Sequence, residues 1–299
     1  MAAKMEGARG VKVDVIVVPF DSGLRDTRMG RGPDHLLRLG LVDLLQSLGA
    51  EVRVKHVAPP ADVFPAEIRV AFELQRAVAE MVTNTRRLGG FPLVLSGNCN
   101  TAVGTVAGIH TATGSIPLVC WFDAHGDFNT PETTVAGFFD GMAVSILTGR
   151  CWRELTAQVP GFRAVPEDGV IMVGTRDLDR LERELLDSSA IRVEKLSSAT
   201  GSTVASALAA SAAREVYVHI DLDVIDSAEG RANGYAGPGG LSRSALLAAL
   251  SSIQEAAEVG GAALTAYDPE YDVTGSVAQI ALDSAAQLIG SAGYGAEPR

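Results

Sequence analysis

Aromatic side chains make up only 5% of the 299 residues, and there are three cysteines, Cys99, Cys120 and Cys151. Three is an odd, sparse set without paired spacing, so no disulfide framework is expected. With so few aromatics, the core must come from Val, Ile, Leu and Ala. No apolar run approaches the ~20 residues of a membrane span. The opening MAAKMEGARG holds no apolar signal core, and a cytoplasmic location is expected. Basic residues are in deficit: 25 Lys and Arg face 36 Asp and Glu, a formal net charge of -11. That argues against nucleic acid or an anionic membrane as partner and fits a cationic or zwitterionic small molecule. No linker, internal repeat or low-complexity tract interrupts the chain. A chain that is 47% hydrophobic, with a mean hydropathy of +0.19, can bury a sizeable core. One catalytic domain over residues 1–299 is the simplest expectation. The chain ends soon after its last helical pattern, so a monomer is expected in preference to a trimer or hexamer.

Apolar, β-branched runs alternate with helical patterns. Strands are expected over 11–19, 51–56, 92–95, 117–122, 170–174, 191–193, 216–222 and 262–267. Helices are expected over 34–48, 66–88, 100–110, 141–148, 178–186, 242–256 and 273–290, with one more between the strands at 191 and 216, and a loop over 59–65. Continuous rather than alternating apolar runs indicate a mostly parallel sheet covered on both faces, a three-layer α/β/α sandwich. In such a sheet the ligand site lies beyond the carboxyl ends of the strands.

Chemistry-bearing residues stand at those ends. The strand at 117–122 runs into Asp123-Ala-His125-Gly-Asp127, and the strand at 216–222 into Asp221-Leu-Asp223, followed by Asp226. Ionised carboxylates emerging from buried strands must be paired or bind a metal. No run of Lys or Arg lies near them. Period-2 geometry puts Asp221 and Asp223 on one face. Hard oxygen donors with one imidazole suit Mn²⁺ or a related ion, and carboxylates that can bridge suit two ions ~3.5–4 Å apart. The competing reading is that each Asp caps a helix or a turn.

These motifs resemble the arginase/agmatinase (ureohydrolase) family, and the resemblance covers nearly the whole chain. In that family one strand ends in Asp-Ala-His-x-Asp and a later one in Asp-x-Asp-x-x-Asp. Gly30-Arg-Gly32-Pro33 and Gly239-Gly240-Leu241 are similar to further landmarks. The resemblance implies two Mn²⁺ per chain, with Asp123 and Asp221 bridging them, Asp127 completing one site, and His125 and Asp223 completing the other. It implies an amino-acid substrate whose carboxylate meets Asn129 and whose α-amino group meets Asp179.

Three positions depart from the family pattern. Cys99, in Ser96-Gly-Asn98-Cys99-Asn100, stands where the family has a metal-binding His, and becomes the sixth expected ligand, a soft one. Asp140 stands where arginases have a proton-shuttling His and is expected to face the substrate. Ala266 replaces a guanidinium-binding Glu, and Glu270 is nearby. The combination resembles the Nω-hydroxy-L-arginine amidinohydrolases of D-cycloserine (antibiotic) biosynthesis. It implies hydrolysis to hydroxyurea and L-ornithine, with Asp226 carrying a proton to the leaving amine. Two alternatives remain open: another guanidino or formimidoyl amino acid as substrate, or a catalytically inactive metabolite-binding relative. His219, two residues before Asp221, reads either as a satisfied core histidine or as a support for the metal ligands.

Overall fold

A computed structural model describes residues 10–59, 66–194 and 200–290. Most of the expected loop over 59–65 and both chain ends lie outside them. Eight strands form the central sheet: β1 (Lys12–Val18), β2 (Glu51–His56), β3 (Phe91–Ser96), β4 (Leu118–Phe122), β5 (Val170–Val173), β6 (Arg192–Glu194), β7 (Val216–Asp221) and β8 (Val259–Thr265). Their order is β2-β1-β3-β8-β7-β4-β5-β6, and every pairing is parallel.

The helices are α1 (Gly32–Arg38), α2 (Leu41–Ser47), α3 (Glu67–Arg87), α4 (Ala102–Thr113), α5 (Ala143–Leu147), α6 (Arg153–Thr156), α7 (Arg180–Asp187), α8 (Thr200–Ala209), α9 (Arg243–Ala256) and α10 (Ser276–Gly290). They cover both faces of the sheet, because successive strand residues point to opposite sides. Val13, Val15 and Val17 pack into one apolar cluster with Leu41, Leu250 and Leu288 from α2, α9 and α10. Ile16 and Val18 pack into a second with Val78, Val106 and Ile146 from α3, α4 and α5. The three-layer α/β/α sandwich expected from the sequence is the observed fold.

Apart from shifts of a few residues at element ends, the structure departs from the sequence pattern in these places. The helix expected over 34–48 breaks into α1 and α2 at Gly40, whose φ of 92° only glycine adopts freely. The strand expected to reach residue 267 ends at Thr265, because Ala266 turns into the left-handed region at φ 58°. A short antiparallel pair, Phe20–Asp21 with Leu24–Arg25, was too brief to show a period.

The glycine landmarks have steric reasons. A side chain at Gly32 would collide with the carbonyl of Tyr267, and one at Gly240 with the carbonyl of Val224. Both glycines let a neighbouring segment lie directly against the chain just beyond a strand. Arg176, just beyond β5, fastens the same region. Its guanidinium donates to the carbonyls of Gly174 (3.1 Å), Asp223 (3.0 Å), Gly237 (3.1 Å) and Pro238 (3.0 Å).

Away from the strand ends, a buried acid meets ordinary cationic partners. Asp14 in β1 is fully buried and accepts from Arg53 Nε (2.7 Å), Lys55 Nζ (2.6 Å) and Thr85 Oγ1 (2.5 Å). Burial alone would raise its pKa, but the bonds to Lys55, Thr85 and Arg53 together hold it below the ordinary value. A depressed folded-state pKa contributes stability above the unfolded value and loses it as pH falls through the folded one. Asp14→Asn should therefore cost about 2–3 kcal/mol at pH 7. The penalty should shrink as pH falls below about 4, the ordinary carboxylate range. Urea unfolding of both proteins across pH 3–7 checks this, and a penalty that does not change with pH contradicts it.

Candidate metal and substrate site

Four adjacent strands at the centre of the sheet, β3, β8, β7 and β4, bring their carboxyl ends together. β3 leads to Asn98-Cys99-Asn100, β8 to Thr265 and Ala266, β7 to Asp221 and Asp223, and β4 to Asp123, His125 and Asp127. The register makes this convergence necessary, since Thr265 lies beside both Ser96 and Asp221.

Ligating atoms of Cys99, Asp123 and Asp221 lie within 4.8 Å of one another, and so do those of Asp123, His125 and Asp223. Asp123 belongs to both trios. Cys99 Sγ donates to Asp221 Oδ2 at 3.1 Å. His125 Nδ1 lies 3.4 Å from Asp123 Oδ1 and 3.3 Å from Asp223 Oδ2. Asp127, with a strained φ of 45°, faces the same space. Among the described residues its carboxylate receives no hydrogen bond.

The electrostatics describe a site short of positive charge. Burial pushes the pKa values of Asp127 and Asp221 far up, and neighbouring carboxylates push them further. Burial likewise raises the Cys99 thiol. At His125, burial opposes the protonated ring, but Asp123 and Asp223 outweigh it and lift the pKa well above normal. One imidazolium cannot neutralise this set. The cavity in front of it, about 570 Å³, is lined by eight carboxylates and no Lys or Arg. Two overlapping trios that share one carboxylate, beside a fourth acid with no partner, fit a pair of divalent cations.

Other side chains hold these candidate ligands in place. Trp121 Nε1 donates to Asp123 Oδ2 (3.0 Å), and Asn233 Nδ2 to Asp223 Oδ2 (3.2 Å) and the Ala266 carbonyl (2.8 Å). His219 is both a satisfied core histidine and a support. It stacks on Trp121 with ring centroids 3.6 Å apart, and its ring nitrogens meet Tyr217 Oη (3.0 Å) and Thr265 Oγ1 (3.2 Å). Thr265 Oγ1 in turn lies 3.2 Å from Cys99 Sγ. Burial takes the pKa of His219 down to about 3, so the ring is neutral.

Asn129 and Asp179 both reach the cavity. Asn129 Oδ1 accepts from Thr133 Oγ1 at 2.9 Å. Asp179 precedes α7 but makes no capping hydrogen bond, so its carboxylate stays open to the cavity mouth. Phe138 and Tyr235 stack at 5.6 Å between centroids on that same lining.

Two expectations need correction. Asp226 is not on the cavity wall. Its Oδ1 accepts the Ala228 N–H (3.0 Å), the geometry of a turn cap. Asp140 lines the cavity, but its two oxygens are taken by four donors from residues 98–100, so it does not offer itself to a substrate. Glu270 is solvent-exposed and paired with Arg31, away from the cavity. It does not replace the Glu missing at Ala266. Sequence reasoning missed Glu182, which is buried, lines the cavity and accepts the Phe128 N–H at 2.8 Å. Its place one helical turn after Asp179 was the available signal. Burial raises its pKa to about 7.

The profile of the arginase family matches residues 11–292. The chain belongs to the arginase family. Family members are metal-dependent amidinohydrolases, and the chain is a hydrolase of that kind. It is 27% identical to the arginase of Brevibacillus brevis over 93% of this chain and 97% of that one. A more local match, 30% identical to an arginase of Staphylococcus aureus (strain MRSA252), spans 62% of this chain and 64% of that protein. The crystal structure of the arginase from Bacillus subtilis superposes with a TM-score of 0.82 at 25% identity, covering 93% of this chain and 98% of that one. No helix among the described residues is long and apolar enough to cross a membrane.

Trp121→Phe keeps a ring to stack on His219 but removes the N–H that orients Asp123. It should weaken Mn²⁺ binding by about tenfold with little change in thermal stability. Calorimetric titration of the two proteins measures this, and an unchanged affinity would remove Trp121 from the site.

Proposed function

We propose that this arginase-family chain is a dinuclear manganese amidinohydrolase that converts Nω-hydroxy-L-arginine and water to hydroxyurea and L-ornithine. The hydroxyurea is proposed to serve D-cycloserine biosynthesis. Asp123 and Asp221 would hold the ions together with Cys99 and Asp127 on one side and His125 and Asp223 on the other. When bound, the ions would supply a water of lowered pKa to attack the guanidine carbon.

The observation that carries the reading is the cavity wall. It keeps Cys99, His125, Asp127, Asp221 and Asp223, with Asp123 buried behind them, yet it offers Ala266 where arginases hold a guanidinium, and an Asp140 already fully hydrogen-bonded where they have a shuttling histidine. L-arginine carries a strongly basic guanidinium that stays protonated throughout the physiological pH range. Charge of that kind needs a carboxylate to hold it and a base to remove its protons. An N-hydroxyguanidine is less basic, is attacked as the neutral group, and needs neither. Water oxygen bonds to the guanidine carbon, the bond from that carbon to the ornithine δ-nitrogen breaks, and the leaving nitrogen takes up a proton. Asp127 faces the cavity with no hydrogen bond and replaces Asp226 as the carboxylate placed to deliver that proton.

Asn129 supports an amino-acid carboxylate, and Asp179, near Glu182 on an acidic wall, supports its ammonium group. The family also leaves room for another guanidino or formimidoyl amino acid, which a panel of substrates separates by product. An inactive metabolite binder is disfavoured by the complete ligand set. A monomer is the proposed state in solution.

The enzyme loaded with Mn²⁺ should show a kcat/KM for Nω-hydroxy-L-arginine at least ~100-fold above that for L-arginine, about 2.7 kcal/mol of transition-state discrimination. Ornithine release from each substrate gives the ratio. Equal values, or a preference for L-arginine, would contradict the reading.

A further inference from the structure

Asp140 is 5% exposed and sits across the start of the helical segment that begins at Cys99 and continues as α4. Its Oδ2 accepts the Cys99 N–H (2.8 Å) and Asn98 Nδ2 (3.0 Å). Its Oδ1 accepts the Asn100 N–H and Asn100 Nδ2, both at 2.8 Å. Two consecutive backbone N–H groups pointing at one carboxylate make an anion-binding nest at a helix N-terminus. The residue between those bonds carries the thiol that meets Asp221 and Thr265.

We propose that Asp140 is a positioning residue, whose carboxylate fixes the Asn98–Asn100 turn so that the Cys99 thiolate reaches the metal pair. The proposal rests on the reading of Cys99 as a ligand. Metal–ligand distances tolerate only about 0.2 Å of error. A turn free to shift by more than that leaves the sulfur beside the cluster but not bonded to it. Asn98 strengthens the arrangement from the other side, since its Oδ1 accepts the Ser22 N–H at 2.9 Å. Asp140→Asn keeps the volume but replaces one acceptor oxygen with an NH₂ group that faces N–H donors. The turn must then move.

The test uses the full chain loaded with Co²⁺, whose thiolate bond gives a charge-transfer band in the near ultraviolet. Wild type should show the band and Cys99→Ser should lack it. In Asp140→Asn the band should shift or weaken and Co²⁺ affinity should fall by about tenfold. In the Cys99→Ser background the same substitution should change affinity by less than about twofold, because its effect runs through the sulfur. An unchanged band and affinity in Asp140→Asn would overturn the proposal. So would equal losses in both backgrounds, which would mean that Asp140 supports the whole site and not the thiol. A wild-type protein without the band would overturn the reading of Cys99 as ligand, and the proposal with it. Asn98→Ala leaves the Asp140 carboxylate in place, removes one of its donors together with the bonds to Ser22 and Asp21, and decides the matter if Asp140→Asn does not fold. A smaller shift of the band supports the positioning role, and an unchanged band overturns it.

Discussion

The cost of removing carboxylates from water governs this structure. Asp123, Asp127, Asp221 and Asp223 sit at the ends of strands buried on both faces, with one imidazole and no Lys or Arg on the cavity wall. Left as anions without a partner, such groups cost far more than the fold's net stability. Asp14 shows the ordinary solution in the same sheet, a buried carboxylate compensated by Arg53 and Lys55. The strand ends withhold that solution. The charge deficit is what gives the site its capacity for divalent cations.

Topology delivers the groups that this deficit requires. The order β3-β8-β7-β4 makes neighbours of strands far apart in sequence, so that Cys99 meets Asp221 across 122 residues. Around the clustered acids, Trp121, Asn233 and the chain from His219 through Thr265 to Cys99 fix side-chain directions. Arg176 fixes the backbone that carries Asp223. Strain is tolerated at two cavity residues, Asp127 and Ala266, both at positive φ. Backbone strain of this kind persists only where surrounding structure imposes it.

The layers and the gathering of acids at the strand ends were legible in the sequence because each rests on a local rule. Continuous Val and Ile runs mean buried parallel strands, and carboxylates after such runs mean a site at the carboxyl ends of the strands. What was not legible depends on direction. Asp140 and Asp226 read alike as acids near the motifs. One turns both oxygens onto the residue 98–100 turn, and the other caps its own loop. No period or spacing encodes where a loop carboxylate points. Glu182 and Asn233 were missed for the same reason. Their importance comes from contacts with Phe128 and Asp223, which only the folded chain brings within reach.

Metal stoichiometry tests the central claim most directly. The purified chain, saturated with Mn²⁺ and freed of excess, should hold two ions per molecule by elemental analysis. Anomalous scattering should place both among Cys99, Asp123, His125, Asp127, Asp221 and Asp223. A chain that retains no more than one ion at saturation would contradict a site built around a cation pair.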